Sequence, residues 1–430
     1  MLDSRIRIVS AFVCSLVFVI CSTASAQITL FDAENFHRQQ VVQLVQKELT
    51  CLKLVADLTD EQADTILENL DELIDEEAGR FAEASQNNPY GGLVGNSKAL
   101  SDAVLVEAKS LLGAKAAKAF EEDLAARKKF ERGAAQLGML ASMDGLLQLS
   151  DKQHGAIGKL LVPKWKDDWN HLALSVSQPG GVLKIREQVK ELPQDEVEAV
   201  LSESQWAALN GMMNLDQTAM SDQVGFSKLQ GQAVAVLKLE ELTGLCELSE
   251  AQAGKLQEAI NTALNESVER KSEVVKAMQA GNFDFQGNME LLIDMSRPIE
   301  QMMFGNEAWK TAVDEVLNDE QSAKYATRQA SREKRIKAAM STAATTSFST
   351  QIGGLTAKQQ LALTELFAKN YGESTSDPIE QSKRFIAIPD EAYQEILNDQ
   401  QWEKMSQMIN SMRQFGGEDA VEGEDVAVDN

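Results

Sequence analysis

The chain has 430 residues, 43% of them apolar and only 7 of them proline, so it has the material for a large core and lacks the composition of a disordered chain. Its formal charge of −25, from 66 acidic against 41 basic residues, argues against nucleic acid or an anionic membrane surface as a partner, because affinity for phosphate rests on clustered Lys and Arg. Four cysteines are too few for a disulfide framework.

At the amino terminus Arg5 and Arg7 lead into an uncharged apolar run from Ile8 to Ile20, followed by Ala24-Ser25-Ala26. That is the pattern of a secretory signal peptide over residues 1–26, with cleavage expected between Ala26 and Gln27. Phe18, Val19 and Ile20 stand before Cys21 where a lipidation signal needs small residues, so no lipid anchor is expected. No later run has the length to span a bilayer, and the mature protein is expected to be secreted or periplasmic without membrane insertion. Cys14 and Cys21 leave with the leader, and Cys51 and Cys246 remain, either joined to each other or as two separate buried thiols.

A five-residue pattern then recurs along the chain: Leu, a small capping residue, two mostly polar residues, and Gln. The copies begin at Leu58, Leu149, Leu201, Leu248, Leu317, Leu355 and Leu397, and an eighth, LGAKA at Leu112, has lost the Gln. Each reads as a helix start. Thr59, Ser150, Ser202, Ser249, Asn318, Thr356 and Asn398 are the expected N-caps, and Gln62, Gln153, Gln205, Gln252, Gln321, Gln359 and Gln401 complete capping boxes by reaching back to the cap N–H. The Leu before each cap is a hydrophobic staple, with Trp206 against Leu201 and Trp402 against Leu397. Seven residues after the cap the side chain is always large and apolar or aromatic: Ile66, Phe120, Ile157, Leu209, Leu256, Tyr325, Leu363 and Met405. Two helical turns separate that position from the cap, so these residues mark the core face.

The copies fall into pairs, Leu58 with Leu112, Leu149 with Leu201, Leu248 with Leu317 and Leu355 with Leu397, with breaker-rich loops from Asn87, Ser177, Ala280 and Tyr371 between the members. Proline-free stretches such as Ala114 to Gln148 join one pair to the next as long or broken helices. Strand alternation is nearly absent. The expected fold is therefore all-α, a tandem helical repeat array of four diverged helix-loop-helix units with long connecting helices. The units are 27–132, 133–227, 228–335 and 336–415, followed by an acidic, disordered tail over 416–430.

The pattern resembles the LTxxQ motif of the periplasmic stress chaperones of the Spy and CpxP family, whose letters Leu58 to Gln62 and Leu355 to Gln359 match directly. The resemblance covers these five-residue pieces alone. It implies an exported, all-α protein that holds unfolded or envelope proteins without a nucleotide. Size, four tandem units and strong acidity depart from that family.

Chemistry-bearing constellations are few. Each of the three histidines follows an acid by three positions, Glu34 with His37, Asp151 with His154 and Asp168 with His171. Two Glu-x-x-His pairs with two further Glu would make a di-iron site. Only the first pair has that form, and Asp151 sits where a helix start favours acid anyway. There is no HExxH, GxSxG, GxxxxGK[ST] or CxxC, and Gly91, Gly92, Gly95 and Lys98 do not have phosphate-loop spacing. The acid run Asp71, Glu72, Asp75, Glu76, Glu77 reads as a solvated helix face, and Trp165 with Trp169 as core packing. Two basic clusters, Arg127, Lys128, Lys129, Arg132 and Arg332, Lys334, Arg335, Lys337, lie at the same distance past their units' second caps. They are expected to pair with acidic faces of neighbouring units, or else to dock an anionic partner. The reading is a non-catalytic binding or scaffold protein with no catalytic, cofactor or metal residues assigned. A client-holding chaperone and a metal-dependent protein or enzyme using the acid-x-x-His pairs are the alternatives.

Overall fold

The structure, a computed structural model, describes residues 33–87, 97–177, 184–215, 222–279, 294, 297–371 and 378–416. The leader, most of the acidic tail and nearly all of the four expected loops lie outside these residues. Among the described residues every regular element is helical. In chain order they are α1 Ala33–Ala56, α2 Asp60–Asn69, α3 Asp71–Asn87, α4 Ser97–Leu111, α5 Ala114–Leu147, α6 Asp151–Lys164, a 3₁₀ segment Asp167–Ser177, α7 Arg186–Lys190, α8 Gln194–Val200 and α9 Glu203–Met213. There follow α10 Gln223–Cys246, α11 Glu250–Gln279, α12 Ile299–Gly305, α13 Glu307–Val316, α14 Asp319–Gln351, α15 Ala357–Asn370, α16 Pro378–Ala387, α17 Asp390–Gln394 and α18 Asp399–Gly416.

The helices begin where the capping chemistry puts them. Thr59, Ser150, Ser202, Asn318 and Thr356 each accept the backbone N–H of the glutamine three residues on, and that glutamine accepts the N–H of the cap residue. Ser249 with Gln252 and Asn398 with Gln401 make the same exchange. At the eighth copy Gly113 stands at the cap and offers no side chain. Two-turn spacing then buries Ile66, Phe120, Ile157, Leu209, Leu256, Leu363 and Met405 almost completely. Tyr325 is only half-buried, and the ammonium of Lys238 lies over its ring, 4.9 Å from the centroid.

The connecting helices differ in continuity. α5 has 34 residues and α14 has 33, each running unbroken from one unit to the next. In the second unit α9 and α10 are separate helices. The turn into the first motif of every unit is left-handed. Asp57, Gln148 and Glu247 have φ of 52°, 53° and 51°, and Gly354 has φ of 99°, each directly before the motif leucine. A left-handed residue ends the incoming helix and lets the chain reverse. Only the last unit uses glycine for it.

Buried apolar side chains form four successive clusters: around Leu52, Ile74 and Phe120; around Met139, Trp169 and Leu209; around Leu242, Ile260 and Trp309; and around Phe348, Phe367 and Tyr393. α5 packs against the 3₁₀ segment at Gly138, where a β-carbon would stand 2.5 Å from the carbonyl oxygen of Leu172. α5 also packs against α14 and α15, so the first unit touches the fourth as well as its chain neighbour.

Candidate functional site

In units two to four the paired motifs meet through their glutamines. Gln153 donates from Nε2 to the carbonyl of Val200 at 3.1 Å, and Gln205 donates back to the carbonyl of Leu147 at 2.8 Å. Gln252 reaches Val316 at 2.8 Å while Gln321 reaches Cys246 at 2.9 Å. Gln359 reaches Ile396 at 3.0 Å while Gln401 reaches Gly354 at 2.7 Å. Within each couple the amides also bond each other, at 2.6, 2.9 and 2.7 Å. Each glutamine thus caps its own helix with Oε1 and ties down the turn before its partner's motif with Nε2.

This clasp explains a choice the capping box leaves open. Glu serves a capping box as well as Gln, yet all seven intact copies carry Gln. A carboxylate has no N–H to donate, and here it would face a backbone carbonyl and a second acceptor in a buried place, Gln401 being 1% exposed. In the first unit Ala116 stands where the second glutamine would be, so Gln62 closes its own box and has no amide to meet.

The second basic cluster joins the third unit to the second, whereas in the first cluster Arg127 and Lys128 bond within their own unit and Arg132 reaches the next. Arg127 and Arg332 both lie 14 residues past their caps, Gly113 and Asn318, and both are buried. Arg127 grips Glu48 at 2.7 Å and Asp123 at 2.7 Å, with Ser101 donating to Glu48 at 3.0 Å. Burial pushes the Glu48 carboxyl up, but the Arg127 guanidinium outweighs it and holds the group below its ordinary value. Arg332 bonds Glu241 at 3.0 Å and Asp144 at 3.3 Å, and Arg335 bonds Asp144 at 2.8 Å and also Asp151. Arg132 meets Asp167, and Lys128 meets Asp102 within its own unit, while Lys129 and Lys334 are exposed.

Asp144, Glu241 and Lys238 carry this junction and are absent from the sequence reading. Asp144 accepts the N–H of Leu149 at 2.8 Å besides its two arginines. One signal was present: it is the single charge in the stretch from Gly133 to Ser150. Lys238 is fully buried, 2.9 Å from Glu241, with its ammonium over the rings of Phe304 and Tyr325. Burial and the nearby Arg332 lower it to about 8, while burial of Glu241 is outweighed by Lys238 and Arg332, which hold that carboxyl at about 2.

The helices α5 and α14 also dock on motif helices in matching register. Ten residues past the cap, Asp123 of α5 accepts the first N–H of α15, from Ala357, at 2.8 Å. At the equivalent place Arg328 of α14 donates to Asp151, the first residue of α6, at 3.1 Å, and also to the carbonyl of Leu149. The polarity is exchanged, but the contact is the same one. The pair of units one and two and the pair three and four thus grip each other reciprocally.

Other sequence candidates separate. His37 approaches Gln40 at 3.4 Å, and Asp151 is taken by Ser331, Arg328 and Arg335. The side chains of Glu34, Asp168 and His171 lie outside the described residues. Among the described residues no group of three His, Cys, Asp or Glu could hold a metal ion. Cys51 and Cys246 are both free and buried. Trp165 packs edge-on to Trp169 with centroids 5.4 Å apart, and Trp169 belongs to the second core. Within the acid run Asp75 binds Arg38 at 2.7 Å, and Glu77 is buried beside Arg80. A crevice of about 140 Å³ between Phe367, Tyr371 and Phe385 is well below the volume of a ligand pocket. Compared with protein-family models, curated proteins and solved structures, the chain matches none.

Proposed function

We propose that the protein is an exported, non-catalytic helical binding or scaffold protein that acts in the periplasm or at the cell exterior. The observation that carries the reading is the engagement of its polar groups with one another. The motif glutamines close clasps, and Arg127, Arg332 and Arg335 join helices. Catalysis needs converging groups held ready for a substrate, and the reading assigns none. Export rests on the leader pattern of Arg5, Arg7, Ile8 to Ile20 and Ala24-Ser25-Ala26.

The test is crosslinking and capture from the envelope fraction with the full mature chain, together with amino-terminal sequencing of that chain. A defined set of partners and a start at Gln27 are expected. Recovery of Met1 from the mature pool refutes export. Suppression of aggregation of an unfolded protein without ATP, lost in Gln205→Ala at unchanged unfolding midpoint, replaces the scaffold reading with the LTxxQ-chaperone one.

A further inference from the structure

The helices that open the four units share a surface position nine residues past the cap. In three of them it holds an exposed glutamate, Glu68, Glu258 or Glu365, and in α6 it holds an exposed lysine, Lys159. From Lys152 to Lys166 the chain carries four lysines and no acid, although over its length acids outnumber bases 66 to 41. Helical spacing brings Lys152, Gly155, Lys159, Val162 and Pro163 onto one face of α6, opposite the buried Ile157 and Leu161. All five are exposed, Val162 by 62%. Among the described residues Lys152 and Lys159 make no ion pair, and Lys166 at the end of the stripe meets Glu191. Nearby acids leave these two lysines unneutralised. Asp151 is held by Arg328, Arg335 and Ser331. Asp195, Glu196 and Glu198 are exposed on α8, the helix packed against α6, and among the described residues they make no ion pair with its lysines.

We propose that this stripe is the docking site of the chain's own acidic tail. Charge complementarity carries the assignment. The 14 residues from Gly417 to Asn430 hold six acids and no base, and Val421, Val426 and Val428 stand among the acids to meet Val162. Reach agrees with it. α6 starts against Arg335 of α14, and the neighbouring Ile336 and Met340 of α14 share one core with Met408 and Met412 of α18, from whose end the tail departs. An extended tail of that length covers at most about 50 Å, and the stripe from Lys152 to Pro163 is only about 17 Å long. Exposed ion pairs are weak singly and screened by salt. A tether raises the local concentration of the tail to the millimolar range, so a contact made of several such pairs forms within one chain.

Acylation of lysines in the full mature chain at low salt, followed residue by residue by mass spectrometry, tests the docking. Removing residues 417–430 should make Lys152 and Lys159 react about threefold faster, the protection that a few exposed ion pairs give at tethered concentration. Lys358, which holds the place of Lys152 on α15, should not change. Replacing the six tail acids by their amides should have the same effect as removal, and about 0.5 M salt should abolish the difference. Unchanged rates at Lys152 and Lys159, or equal acceleration at Lys358, overturn the proposal. Should truncation disturb the fold, carbodiimide crosslinking of the unaltered chain, mixed with an isotope-labelled copy, decides. Bonds from Lys152 or Lys159 to the tail acids within one chain are expected. Bonds between copies alone, or spread evenly over the exposed lysines, refute it.

Discussion

The first and fourth units open on the same LTxxQ letters and are held together differently. In the fourth, Gln359 and Gln401 clasp each other inside a core of Phe348, Phe367, Phe385, Tyr371 and Tyr393, and among the described residues its buried polar side chains are all uncharged. In the first, Ala116 removes one side of the clasp, and the centre is instead the ion pair of Arg127 and Glu48, 2% and 8% exposed at their side chains. The difference teaches that one short motif does two separable things. Its cap is local and survives alone at Thr59, whereas its clasp needs a second copy in the right place. Where the second copy is lost, the buried pair of Arg127 and Glu48 still joins α5 to α1, whereas the third unit has both devices, the Gln252–Gln321 clasp and the equivalent pair of Arg332 with Glu241. Asp123 extends the contact of Arg127 to the start of α15, so the two unlike centres are coupled directly.

The sharpest way to break the comparison is to remove Glu48. Glu48→Ala leaves the buried Arg127 with Asp123 as its one remaining carboxylate, and the loss is expected to be about 3 kcal/mol by denaturant unfolding. Acid should act on the same pair. A carboxyl whose folded value is depressed stabilises fully above its unfolded value of about 4.3 and loses that contribution as pH falls through the folded value. Protection of amides in α1 and α5 should therefore fall below pH 4 before that in α15 and α18. Equal loss in both units would contradict the assignment.

Next in size is Gln401→Glu, which keeps the capping acceptor but turns a buried donor into a charge facing the carbonyl of Gly354. About 2–3 kcal/mol should be lost. The matching change Gln62→Glu in the first unit, where no clasp exists, should stay within about 0.5 kcal/mol. If both changes have the same effect, the clasp is not what selects glutamine.

Smaller still is the cap alone. Ser202→Ala leaves an N–H of α9 unpaired and should lower stability by about 1 kcal/mol, while Ser202→Asp keeps an acceptor against the positive end of the helix and should retain most of it. Smallest is a gain. Asp57→Gly relieves an exposed side chain held at φ 52° and should raise stability by up to about 1 kcal/mol. Glu247→Gly should do the same, and a loss at both sites would mean that their side chains hold the turn.

Much of this architecture is local and therefore readable in one dimension. Helix starts at seven caps, the buried position two turns later and the all-α class follow from contacts within three or four residues, whose spacing a helix dictates. The left-handed turns at Asp57, Gln148 and Glu247 were not readable, since no glycine marks them; tertiary packing imposes that backbone. The two basic clusters showed their equivalence through spacing, but not that Arg332 would share Asp144 with Arg335, or that Lys238 would sit buried over two rings. Glutamine rather than glutamate was visible at every intact copy, and its reason was not. That reason is a carbonyl 37 to 64 residues away for Gln359, Gln153 and Gln252, and a hydrogen bond of that reach exists only once two helix starts have been brought face to face.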